Sequence, residues 1–423
     1  MASGTSVIQT DKTTASGAPP PGTPPTGTPP TGTPWEVFLV FLKLGLTCFG
    51  GPLAHLGYFR TEFVTRRGWI GEAAYADLVA LCQFLPGPTS SKLGFSLGVL
   101  RGGTLGGLAA WVGFTLPSAA IMLGFAYAAA SFTGPVATGL IDGLKLVAVP
   151  VVAQAVIGMG RSLTPDWPRR TIGLAALALT LALPGAPGQI GSIVLGALVG
   201  PILRPGDAVV QAESPIYPVS KRQALTALAS FIALCLAPFA IQPLAGRQAA
   251  DLFLAFYRSG ALVFGGGHVV LPLLQGAVVA PGWVSDNDFL AGYGVAQAVP
   301  GPMFSFAAYL GAVSGPAPNG LVGAAIATVA VFLPALLLVY GMLPFWHGIS
   351  AGNWARRAMR GANAAVVGIL AAAFITPVCT SAITGPADAL SAMIGLMLLL
   401  IARVPSWLVV ILSAAWGIAH ALI

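Results

Sequence analysis

Four short motifs carry the residues whose types and spacing could do chemistry. They are Phe49-Gly50-Gly51-Pro52, Pro86-Gly87-Pro88, Phe264-Gly265-Gly266-Gly267-His268 and Pro300-Gly301-Pro302, each inside an apolar stretch. A glycine pair or a Pro-Gly-Pro stops the helical hydrogen-bond ladder, and the helix that restarts presents unpaired N–H groups and the positive end of its dipole. Near the middle of a bilayer such an end is an anion site made of backbone. Hydroxyl donors flank the motifs (Thr47, Thr89, Ser90, Ser91, Ser305), and the amides Gln83 and Gln297 precede the two Pro-Gly-Pro breaks by one turn. The alternative role of these glycines and prolines is close packing and kinking alone; their duplication with flanking donors favours the site.

Cations accompany the motifs. Lys43 and Arg258 stand seven residues before their glycine pairs, and Lys92 lies one turn beyond Pro88. An unpaired cation within hydrocarbon is costly and usually functional, with snorkelling to the headgroups as the competing reading. Lys145, close to Asp142, suits snorkelling. His55 and His268 follow the glycine motifs and could donate to an oxyanion or take up a proton; polar packing accounts for them equally well. The acidic residues are expected in loops, Glu36 and Asp77 at segment ends excepted. Without paired intramembrane carboxylates a cation carrier or proton relay lacks its usual parts, so the expected substrate is an anion. No His-Glu-x-x-His or Walker-type motif is present. The cysteines Cys48, Cys82, Cys235 and Cys379 are scattered without a Cys-x-x-Cys. No catalytic residue, metal site or cofactor is therefore expected.

The elements that must position these residues follow from composition. Of 423 residues 56% are hydrophobic and 8% charged, with a mean hydropathy of +0.84; a soluble domain carries roughly 25% charged residues. Apolar stretches recur from Trp35 onward without the dyad alternation of a barrel. The expected fold class is an all-α polytopic membrane protein. The net charge of +7 is read as cytoplasmic loop charge, not as a nucleic-acid surface.

The chain repeats itself. An offset of 215 superposes Phe41 on Phe256, Lys43 on Arg258, Gly45 on Gly260 and Phe49-Gly50-Gly51 on Phe264-Gly265-Gly266; an offset of 214 superposes Trp69 on Trp283 and Gln83 with Pro86-Gly87-Pro88 on Gln297 with Pro300-Gly301-Pro302. Leu116-Pro117 meets Leu333-Pro334 further on. Loop charge is swapped between the copies: Arg60, Arg66 and Arg67 correspond to a segment with Asp286 and Asp288, whereas Asp142 corresponds to Arg356, Arg357 and Arg360. Because basic loops stay cytoplasmic, the halves are expected to be inverted-topology repeats. Charge parity then requires the motif segments to enter and leave on one side as broken, re-entrant helical hairpins, short tilted crossings being the alternative. All basic residues but Arg247 and the four within apolar segments then share one face. The expected organisation is a disordered Pro/Thr/Gly-rich tail at 1–34, a first repeat with its linker at 35–222, and a connecting helix with the second repeat at 223–423.

The residues at 49–56, both Pro-Gly-Pro motifs and those at 264–272 resemble the chromate ion transporter family in its two-domain, long-chain form. The resemblance spans both halves. It implies efflux of chromate across the bacterial inner membrane and chromate resistance, with the functional motifs on the four segments quoted above. Chromate and sulfate are both tetrahedral dianions and suit converging N–H groups, hydroxyls and cations equally. The expected partners are chromate or sulfate, the lipid bilayer and, as an option, a second copy in a homodimer. An anion channel or a sulfate transporter of the same architecture is the alternative function.

Overall fold

Apolar runs punctuated by Gly and Pro build helices in the computed structural model, which describes residues 32–131, 134–202, 217–240, 248–264, 267–346 and 353–422. The expected tail (all but its last residues), Arg247, and Gly265 and Gly266 lie outside the described residues. Every regular element among the described residues is helical, as expected for the fold class.

The chain opens with α1 (Pro34–Thr47), started by Thr33, whose hydroxyl accepts the Glu36 N–H, and by Pro34 at the first position. It ends before the first glycine pair. Helix α2 (Gly51–Phe59) restarts there and continues as a π-turn, Arg60–Arg66; α3 (Glu72–Phe84) ends before Pro86-Gly87-Pro88, and α4 (Thr89–Ser131) restarts after it. Helix α4 is bent sharply at Gly102 and Gly103, where the dihedrals leave the helical region. Its first arm folds back so that Gly98 meets Gly106. Then come α5 (Pro135–Leu163), α6 (Trp167–Ala182), α7 (Ala186–Val199) and the connecting α8 (Lys221–Ala240).

The same succession then recurs. It runs through α9 (Gln248–Ala261), a 3-10 turn and α10 (Val270–Val278), α11 (Asp286–Ala296), a 3-10 turn and α12 (Phe306–Val313), α13 (Gly320–Met342), α14 (Asn353–Ala373), α15 (Pro386–Leu400) and α16 (Ser406–Ala421). All four motifs thus interrupt helices. Arms of 8–16 residues span roughly 12–24 Å, less than the roughly 30 Å of a hydrocarbon core. Among the described residues four segments are long and apolar enough to cross a membrane: Thr89–Ala129, Pro135–Leu163, Gly320–Phe345 and Arg357–Ala382. Large apolar side chains such as Leu105, Leu174, Leu198, Leu321 and Met393 stand exposed on the surface, which suits lipid as the surrounding solvent.

Helices meet in pairs on either side of the interruptions. Phe41 on α1 packs against Phe59 on α2 and Phe63 on the π-turn at centroid distances of 5.6 and 5.0 Å. Cys82 on α3 faces Lys92 and Ser96 on α4. Ser259 on α9 donates to the Leu273 carbonyl on α10 at 3.4 Å, and Phe289 on α11 packs edge-on against Phe306 on α12 at 5.2 Å. The halves interlock reciprocally. Helix α5 crosses α16 where Gly139 meets Gly417, and α14 crosses α7 where Gly361 meets Gly196; small residues let the backbones touch.

Candidate functional site

The tips of the two halves are joined crosswise. Gly87, in the Pro-Gly-Pro of the first half, donates its N–H to the Val263 carbonyl just beyond α9 of the second half at 2.6 Å. Gly301, in the Pro-Gly-Pro of the second half, donates to the Cys48 carbonyl just beyond α1 of the first at 2.9 Å. Gly87 and Gly301 are equivalent under the internal offset, as are Val263 and Cys48. Reciprocal bonds of this kind are those of a two-fold relation. Both glycines hold φ in the left-handed region, +98° and +94°, which an L side chain resists. Each also lodges against the kinked long helix of the partner half. A Cβ on Gly87 would meet Ala335, next to Pro334 on α13, and one on Gly301 would meet the Phe114 carbonyl and the Ser118 hydroxyl on α4, both at 3.1 Å.

These contacts change the electrostatics of the tips. At a hairpin tip a helix C-terminus and a restarting N-terminus lie together, and their dipole ends oppose one another. Here the C-terminal carbonyls are covered: Cys48 by Gly301, Val263 by Gly87, Leu85 and Pro86 by the Lys92 ammonium, and Gln297 by the Ser406 hydroxyl at 3.4 Å. The restarting helices lack side-chain caps at Gly50 and at Pro302. Each cross-bond spends an N–H with its carbonyl, so the surplus of donors comes from Lys92, from the Ser406 hydroxyl and from the helix starts at Gly50 and Pro302, an arrangement that suits an anion.

The sequence-derived residues divide into three environments. Lys43 and Thr47 line an open cavity of about 530 Å³ between α1 and α2, together with Tyr58, Thr61, Glu62 and Arg66. Thr47 sends its hydroxyl back to the Lys43 carbonyl at 2.8 Å. Gly50 and Gly51 form the adjoining tip, both with positive φ; Pro52 enters the first turn of α2. His55 is buried beside Phe114 at a centroid distance of 5.3 Å, facing the Cys48 backbone without closing a well-formed hydrogen bond. In the second environment Pro86, Gly87, Pro88, Thr89 and Ser90 surround the tip that meets Val263. Lys92 is fully buried there and spends its protons on Leu85 and Pro86, with Pro86 at 3.0 Å; Gln83 is exposed. In the third, Pro300, Gly301, Pro302 and buried Ser305 form the tip that meets Cys48, and Gln297 donates to the Met303 sulfur at 3.2 Å. Gly267 begins the turn that leads into α10, and His268 Nδ1 pairs with the hydroxyl of buried Tyr293 at 2.8 Å. Arg258 is exposed on α9, outside the cavity that holds Lys43. Lys145 pairs with Asp142 at 3.1 Å.

One expectation is corrected. Glu62 is not in a loop: it sits in the π-turn, is buried, and lines the cavity near Lys43 while bonding Arg66 at 2.8 Å and Arg67 at 2.6 Å. Two arginines within five residues hold the carboxylate ionised inside the fold, and their spacing is the signal that could have revealed it. Thr115 and Ser118 were also missed. Ser118 is buried against Gly301, and the Thr115 hydroxyl is buried without a partner. They flank Leu116-Pro117, a repeat marker whose neighbours carried the chemistry.

Helices broken at Gly and Pro motifs, with the two Pro-Gly-Pro tips buried and bonded to the other half and large apolar side chains exposed around them, define a polytopic membrane protein. The chain belongs to the chromate transporter family, whose model matches residues 35–201 and 250–418. It is 30% identical over 375 residues to the chromate transport protein of Pseudomonas aeruginosa, covering 86% of this chain and 83% of that one. It is 27% identical over 368 residues to the chromate transport protein of Cupriavidus metallidurans, covering 86% and 87%. A shorter relative, the uncharacterized transporter YwrA of Bacillus subtilis, is 26% identical over 176 residues, 97% of its own length but 40% of this chain. No solved structure matches.

Proposed function

We propose that the chain is a secondary transporter that exports chromate from the cytoplasm across the bacterial inner membrane and thereby confers chromate resistance. The observation that carries this reading, beside family membership, is the crosswise pairing of Gly87 with Val263 and Gly301 with Cys48. Beside these junctions the helix starts at Gly50 and Pro302 carry no side-chain cap, and their N–H groups are the donors offered to a tetrahedral oxyanion. Units 35–222 and 223–423 act as inverted halves that rock about this point to alternate access. An inside-negative potential favours outward movement of chromate, as the dianion or the protonated monoanion, by about 2.3 kcal/mol per charge per 100 mV, so no further driving ion is required.

Proteoliposomes holding the purified chain test this with labelled chromate. Saturable flux that follows the imposed potential supports the carrier. Absence of chromate flux would overturn the substrate assignment, and unitary currents of channel size would overturn alternating access in favour of an anion channel. A sulfate transporter of the same architecture would show sulfate flux outcompeting chromate.

A further inference from the structure

A carboxylate is out of place on the wall of a cavity offered to an anion. Glu62 nonetheless lines the cavity between α1 and α2 with Lys43, Thr47 and Arg66. The groups facing it are Lys43 and Cys48 from α1, Tyr58 along the cavity wall, and Arg66 and Arg67 from its own turn. Lys43 and Arg66 line the cavity against one carboxylate, and Arg67 behind it adds a third positive charge, so the cavity still attracts anions. An ionised carboxylate has about four acceptor positions and no donor. The two guanidinium bonds engage one acceptor on each oxygen, Arg66 on Oε2 and Arg67 on Oε1, which leaves further lone pairs.

Tetrahedral oxyanions differ at such a wall. Hydrogen chromate loses its proton close to neutral pH, so the protonated monoanion coexists with the dianion in a cell. Hydrogen sulfate loses its proton only in strong acid, so sulfate presents acceptors alone. Resting on the chromate-export reading, we propose that Glu62 is a specificity-determining residue that accepts a hydrogen bond from the O–H of hydrogen chromate and repels sulfate. Lys43 and Arg66 hold the remaining oxygens, and the proton stays on the ligand. The cavity thereby selects oxyanions that keep a proton near neutrality.

The test uses the full chain in proteoliposomes at equal pH on both faces, with labelled chromate and unlabelled sulfate as competitor. The expected wild-type result is a rate, at fixed total chromate, that falls as pH rises past chromate's second ionisation, with weak sulfate competition. Glu62→Gln, whose amide carries no charge and can donate, is expected to flatten the pH profile and strengthen sulfate competition roughly ten- to a hundredfold, the worth of one hydrogen bond to a charged group. Glu62→Asp keeps the carboxylate and is expected to keep both wild-type properties. A flat wild-type pH profile, or sulfate competition equal in wild type and Glu62→Gln, would overturn the inference while chromate export stands. Should Glu62→Gln fail to insert, the wild-type profile decides alone. A wild-type chain that moves no chromate overturns the export reading and this inference together.

Discussion

Substituting Gly87 by Ala tests the crosswise junction most directly. Its φ of +98° costs an L residue about 1–2 kcal/mol. The new methyl would run into the Ala335 methyl and come within 3.3 Å of the Ala335 Cα on α13, and overpacking of this kind costs about 1–3 kcal/mol. Together the docked tip loses about 2–5 kcal/mol, which at 1.4 kcal/mol per tenfold lowers its population by a factor of roughly 30 to several thousand. Gly301→Ala meets the same backbone cost at φ +94°. Its nearest neighbours, the Phe114 carbonyl and the Ser118 hydroxyl, both lie at 3.1 Å, and the hydroxyl can rotate away. Gly87→Ala is thus expected to be the more damaging by about 1–3 kcal/mol, although the two positions are equivalent in sequence. Adding Ala335→Gly removes the opposing methyl and is expected to recover the packing part but not the backbone part, a coupling that a double-mutant cycle isolates. Labelled-chromate transport and thermal stability of the purified variants provide the readouts. Equal effects at Gly87 and Gly301, or no recovery on adding Ala335→Gly, would refute the steric reasoning.

Three further outcomes can be checked. Lys43→Gln, at an exposed position lining the cavity, is expected to raise the KM for chromate several-fold while leaving insertion and thermal stability unchanged; an unaltered KM removes Lys43 from the anion path. Lys92→Met leaves the Leu85 and Pro86 carbonyls without their ammonium donor and is expected to destabilise the protein by roughly 2–4 kcal/mol, read as a lowered melting temperature. In a background freed of Cys48, Cys82, Cys235 and Cys379, single cysteines placed beside Arg66 and Asp286 are expected to label from opposite faces of the membrane. Same-side labelling would sink the inverted arrangement of the halves.

Local chemistry made much of the fold legible before any coordinates. Single prolines such as Pro117, Pro150 and Pro334 stay inside helices, but a glycine pair or a Pro-Gly-Pro stops the ladder, so the interruptions at Gly50-Gly51 and at the two Pro-Gly-Pro motifs could be read from composition and spacing. What each tip touches could not be read, because the bonds from Gly87 to Val263 and from Gly301 to Cys48 join residues more than 170 positions apart and no periodicity encodes them. Lys92 shows the same limit at short range. Its position one turn into α4 placed a cation near the break, but only the hairpin's path turns that cation onto the carbonyls of Leu85 and Pro86. Glu62 escaped because a segment dense in arginines reads as solvated loop, whereas the π-turn rotates the carboxylate inward.

The sign of the central field follows from these contacts. A hairpin tip considered alone is nearly neutral, since one helix ends where another begins and half a charge of each sign meets there. A protein built from such tips could serve a cation through its carbonyls or an anion through its N–H groups. The choice is made by which groups are spent within the fold. The two cross-bonds each spend a backbone N–H, of Gly87 or Gly301, with the carbonyl of Val263 or Cys48 and leave the sign unchanged, whereas side-chain donors cover the carbonyls of Leu85 and Pro86 (Lys92) and of Gln297 (Ser406). The donors that remain belong to the uncapped starts of α2 and of the turn into α12. Breaking the cross-bonds would release a donor with every acceptor while separating the halves, so docking of the tips rests on that pair of hydrogen bonds and the anion preference on the side-chain donors that cover the carbonyls of Leu85, Pro86 and Gln297.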